Sequence, residues 1–206
     1  MSAAGPKFSD SVFINCPFDP DYWPIFEAIV FTIVDSGFVP RSSLQNPDSG
    51  EVRVRRIHEI INSSQYSIHD ISRVQLTPNY PRFNMPFELG LDIGCKRFGN
   101  SQMKRKRCLI LDSEQFRYQE FFSDIAGQDI KAHGNSPNTV IGQVRNWLMG
   151  ASKRKSVPGP QTIRKHFSNF SAVLPAYCDR LGLDRNDILF PEYVTMIEEW
   201  LKSANK

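Results

Sequence analysis

Glu88 is the residue of this chain whose type and position most invite chemistry. It stands in NMPFELG (84–90), where a helix is predicted to open at Pro86 and to hold the carboxylate in its first turn. Just upstream, a strand predicted over 67–74 carries Asp70 and Arg73 near its carboxyl end. A loop with Pro78, Asn79, Tyr80, Pro81, Arg82 and Asn84 joins the two. A carboxylate so placed can serve as general base, as nucleophile or as counter-charge to a cationic centre. An arginine beside it can grip a phosphate through two parallel N–H donors, or pair with Asp70 or Glu88. The plainer account of Glu88 is that an acidic residue in a first turn gains roughly 0.3–1 kcal/mol from the helix dipole. A capping box would strengthen that account, but position 85 is Met where Ser, Thr, Asp or Asn is needed. Asp92, four residues on, adds a like charge to the same helix face and fits either a solvated surface or a site that uses an acid. His69 alternates to the opposite side of the strand from Asp70 and reads as packing or solvent-facing.

These residues need a scaffold, and the hydrophobic pattern supplies one. Apolar runs predict strands over 11–16, 38–42, 67–74 and 107–112, with a polar edge strand over 127–133. Between them, three-to-four spacing predicts helices over 25–34, from 51 through Ile61, from 86, over 116–125 and over 138–148. Strands alternating with helices in this way define a three-layer α/β domain with a mainly parallel, five-stranded, flavodoxin-like sheet. In that order of strands the ligand crevice lies at the carboxyl ends, at the switch point, between the loops after strands one and three. The rule selects Asn15, Cys16, Pro17, Phe18 and Asp19 on one side and the 70–84 loop on the other. Phe18 and Tyr80 could stack on a ring there or simply close the crevice edge. A linker at 152–160 divides a domain over 1–152 from a helical extension over 153–206, whose Phe and Leu content demands burial on the first domain or on another subunit.

Composition narrows the classes. The 206 residues include 15 Phe and carry a net charge of +3, so the chain can bury a sizeable core and has no global attraction for polyanions. Its longest apolar run, 25–34, is too short to span a bilayer, and the first ten residues lack the apolar centre of a secretory signal. The four cysteines (Cys16, Cys95, Cys108, Cys178) have no CxxC spacing and are expected as reduced core thiols of a cytoplasmic protein. None stands at ligand spacing from a histidine, so no metal is expected. Two basic stretches, 104–107 and 153–155, could contact nucleic acid, but with so modest a net charge they read as solvated loops.

The segments FINCPFD (13–19), HDISR (69–73) and NMPFELG (84–90) resemble, in order and position, the superfamily joining TIR domains with nucleoside 2-deoxyribosyltransferases. The resemblance covers about residues 11–130. It implies cleavage of the bond between an anomeric ribose carbon and a nitrogen base, with NAD as substrate and no further cofactor. It makes Glu88 the catalytic Glu, Asp70 the substrate-binding Asp that would hold ribose hydroxyls, and 16–18 the loop that touches base or ribose. Arg73, Arg82 and Asn84 complete the implied binding set. Deoxyribosyltransferases usually carry an Asp in a Gly-rich loop shortly before the Glu. Here that place is Arg82, which suits a dinucleotide's pyrophosphate better than base exchange. The Trp-Cys pair common before the Glu of many TIR domains is also missing. The resemblance further implies bacterial antiphage defence, self-assembly and an activating partner. Its alternatives are a deoxyribosyltransferase-like enzyme and a non-catalytic TIR-like module that binds a nucleotide signal or a protein.

Overall fold

Five short strands pair side by side, all parallel, in the order β2-β1-β3-β4-β5. They are β1 (Ser11–Asn15), β2 (Val39–Arg41), β3 (Tyr66–Asp70), β4 (Arg107–Asp112) and β5 (Lys131–Ala132). This is the predicted flavodoxin-like order, seen here in a computed structural model that describes residues 5–46, 50, 52–74, 83–125, 127–154 and 156–204. The loop residues Pro78, Asn79, Tyr80, Pro81 and Arg82, and Lys155, lie outside the described residues. In the sheet's centre Ile14 sits beside Ile68 and Ile68 beside Leu109. Every residue of β1 and β3 is buried, as a parallel sheet covered on both faces requires.

Six helices make the outer layers among the described residues: α1 (Trp23–Asp35), α2 (Arg53–Ser63), α3 (Asn84–Phe98), α4 (Pro137–Ala151), α5 (Pro160–Leu181) and α6 (Phe190–Ala204). On one face α1 and α4 pack over Val12, Ile14, Ile68, Leu109 and Leu111. On the other, α2 covers Phe13 through Ile57, Ile60 and Ile61, while Leu89 of α3 meets Ile110. Nine consecutive residues of α1, Ile25 through Ile33, are buried, so this helix is apolar all round and needs cover on its outer side too. The C-terminal helices provide it. Phe31 meets Phe167, Phe170 and Trp200 at ring separations of 5.5, 5.4 and 6.1 Å. Each such aromatic pair adds about 0.5–1.5 kcal/mol beyond its buried area. The extension is thus buried against the α/β layers of its own chain. Gly182, left-handed at φ 65°, closes α5, with the Leu183 amide donating to the Cys178 carbonyl.

Several boundaries differ from expectation, among them the edge strand expected over 127–133, which is Lys131–Ala132, and three differ for a visible reason. The strand predicted over 67–74 ends at Asp70, because Asp70 Oδ1 accepts from the Ser72 amide at 2.8 Å and turns the chain. The helix predicted from Pro86 begins at Asn84; Pro86 falls within its first turn, where no amide proton is needed. Residues 116–125 form two 3-10 turns instead of one helix. Phe116 is left-handed at φ 66°, and Arg117 is drawn inward to Asp112.

Candidate functional site

The carboxyl ends of β1 and β3 lie side by side, Asn15 in register with His69, at the point where the strand order reverses. Asn15 closes β1, and its side-chain nitrogen donates to the Met85 carbonyl at 3.0 Å, fixing the start of α3 against the sheet. The same nitrogen lies 2.9 Å from His69 Nδ1. A carbonyl only accepts, so the amide nitrogen must face Met85, and His69 Nδ1 must therefore be bare. The proton sits on Nε2 and points at Asp92 Oδ2, 3.1 Å away. Ser67 Oγ donates to the same Asp92 oxygen, and the Lys106 ammonium lies 3.0 Å from the other. Lys106 also donates to the Ile61 and Ser64 carbonyls at 2.7 and 2.5 Å. Burial pushes the Asp92 carboxyl up, but His69, Lys106 and Ser67 outweigh it and hold the group down at about 2. Asp92 is therefore a fixed buried anion rather than one of two repelling surface charges. Lys106, which the sequence places in a basic connector, is 1% exposed and spent inside.

On the other face of β3, Asp70 is fully buried. The Tyr22 hydroxyl donates to its Oδ2 at 2.7 Å and the Ser72 amide takes Oδ1. His133 Nε2 lies 2.9 Å from Oδ2; its Nδ1 accepts from the Asn135 amide, so Nε2 carries the proton. Both oxygens are thus engaged, and the expectation that Asp70 holds ribose hydroxyls conflicts with its placement. In this conformation it is a buried anchor that ties β3 to the segment before α1 and to the end of β5.

Glu88 is the opposite case. It is 6% exposed, and among the described residues no hydrogen bond reaches its carboxyl. It lies one residue beyond the first turn of α3, where the helix dipole has faded. Burial raises its pKa from 4.5 to about 7, against a weaker pull from Arg53. The carboxyl is accordingly poised near neutrality. Cys16 lies beside it: burial first, then Asp70, then Glu88 push the thiol well above its ordinary range. A thiol so held stays protonated at neutral pH and is no nucleophile.

The remaining expected residues scatter in character. Arg73, half-buried, makes no ion pair among the described residues, and its Nε is buried without a partner. Pro17 is buried beside Cys16. Phe18 packs edge-on to Phe26 at 5.6 Å and serves as part of the core's rim. Asp19, half-buried, leads into a 3-10 turn at Pro20–Tyr22. Asn84 is exposed at the start of α3, and Arg82 lies outside the described residues. Tyr22, His133 and the Asp112–Arg117 pair escaped sequence reasoning. Each pairs with residues distant in sequence or fills a strand end that reads as ordinary loop. His69, Asp92 and Cys108 bring three ligand-type atoms within 4.8 Å of one another. A metal there would have to expel Lys106 and take the Nε2 proton of His69, so the donor set fits a hydrogen-bonded cluster and not a metal centre.

The fold and site define an α/β protein of flavodoxin-like strand order with a poised carboxyl at its switch point. No family model, curated protein or solved structure matches the chain. No helix among the described residues is long and apolar enough to cross a membrane.

Proposed function

We propose that this protein is a nucleotide N-glycosidase that hydrolyses NAD, with Glu88 as its catalytic residue. The observation that supports the reading is a buried carboxyl without a hydrogen bond among the described residues, raised to about 7, on the helix that follows β3, near the strand ends where parallel α/β sheets bind ligands. In the proposed step the bond from the anomeric carbon to the nicotinamide nitrogen breaks, and its electron pair neutralises the pyridinium. Nicotinamide leaves uncharged, so no acid is required. The ionised Glu88 stabilises the oxocarbenium-like sugar or traps it, and water adds to give ADP-ribose after losing a proton. The Arg73 guanidinium, which makes no ion pair among the described residues, would bind the pyrophosphate.

Mixing the purified protein with NAD at high enzyme concentration and following nicotinamide tests this directly. Release should be lost in Glu88→Gln, and in the native protein it should climb with pH through about 7 as the carboxylate forms. Equal release from the variant would remove Glu88 from the chemistry. A second reading, a nucleotide-binding module without catalysis, draws support from Asp70, whose oxygens are both engaged away from solvent. That reading predicts calorimetric binding of NAD with no nicotinamide released by either protein.

A further inference from the structure

We propose that a second site, built for a small ligand with several phosphates, lies at the opposite end of the sheet from Glu88 and independent of it. There the strands begin, and a cavity of about 670 Å³ opens between them and the end of α4. Its rim joins two basic stretches far apart in sequence: Lys104, Arg105 and Arg107 before and at the start of β4, and Lys153 and Arg154 after α4.

Arg154 is the fixed member of the set. Its Nη2 lies 2.9 Å from Asp10 Oδ1, and its guanidinium stacks on the Phe38 ring at 4.0 Å. Gly37 makes room for it, since a Cβ there would stand 2.5 Å from Arg154 Nη1. Asp10 is the only acid of the lining among the described residues, and Arg154 takes it. Lys104, Arg105, Arg107 and Lys153 are exposed and have no acidic partner among the described residues. Lys106, in the midst of the first stretch, turns inward to Asp92, which leaves the other three on the cavity side. The carboxyl end of α4 contributes the equivalent of only about half a negative charge. A chain with a net charge of +3 therefore gathers four unmatched cations around one cavity, an arrangement that repels itself until an anion enters.

The shape selects among anions. Single-stranded nucleic acid is held by a basic track with aromatic faces for its bases. Here Tyr66 and Phe38 are each 4% exposed, and Arg154 already covers the Phe38 face. No aromatic face among the described lining residues is free to stack on a base, whereas arginines and lysines converging on a small volume suit closely spaced phosphates.

Calorimetry of the full chain with inorganic tripolyphosphate tests the site. We expect one ligand per chain, weakened about tenfold or more both in Lys104→Ser/Lys153→Ser and in Arg107→Ser, with unchanged thermal unfolding because the replaced side chains are exposed. Glu88→Gln should bind as the native protein does. No binding of tripolyphosphate, undiminished binding by both variants, or loss of binding in Glu88→Gln would overturn the proposal. So would a short single-stranded oligonucleotide that binds more tightly than tripolyphosphate through the same residues.

Discussion

At the scale of single residues, Glu88 shows burial overruling a nearby cation. Arg53 would lower its pKa, yet desolvation carries the group from 4.5 to about 7. The consequence for stability has a definite sign. Between those two values the folded chain keeps a proton that the unfolded chain has released, so stability falls as pH rises through the interval. Glu88→Gln should therefore match the native protein near pH 4 and exceed it by up to about 3 kcal/mol at pH 8. Urea unfolding at the two pH values measures the difference; a gain of equal size at both would mean that the carboxyl is not held in its neutral form. The same substitution should abolish nicotinamide release, so stability and catalysis would move in opposite directions at one atom pair.

At the scale of elements, β1, α1 and β4 were legible because unbroken apolar runs such as Val12-Phe-Ile14 can only be buried. The parallel sheet was legible too, since strands alternating with helices imply crossover connections, and the flavodoxin-like order that five such strands suit is the one observed. What lay beyond reach was pairing across the sheet. Lys106 sits in a run of basic residues, and nothing local distinguishes it from its exposed neighbours. Only the fold brings Asp92, Ile61 and Ser64 to its ammonium. Asp70 misled for a related reason, because the residues that bury it, Tyr22 and His133, are 48 and 63 positions away. The α3–β4 connection gives a sharp test. Lys106→Met leaves Asp92 buried without its cation and should cost roughly 3–5 kcal/mol. Adding Asp92→Asn should restore much of the loss, and a double-mutant cycle by chemical denaturation measures the coupling. Simple additivity would show that the pair does not act as a unit.

At the scale of the whole molecule, the chain divides at 152 by composition but not by burial. Ile163, Phe170, Leu174, Tyr193, Met196 and Ile197 belong to one continuous core with α1 and the sheet, and Arg185 donates to the otherwise buried Glu27 of α1. A chain ending at Ser152 would expose Phe31 and strand Glu27. We expect it to lose the cooperative thermal transition of the full protein, as followed by circular dichroism; a sharp transition in the truncated chain would make residues 1–152 a self-sufficient domain. The cover on α1 also sets an order in time. During synthesis α1 emerges early, yet α6 follows about 170 residues later, roughly ten to thirty seconds at about 5–20 residues per second. For that interval the outer cover of α1, shared between α5 and α6, is incomplete, and the nascent chain is most exposed to aggregation before both have been made.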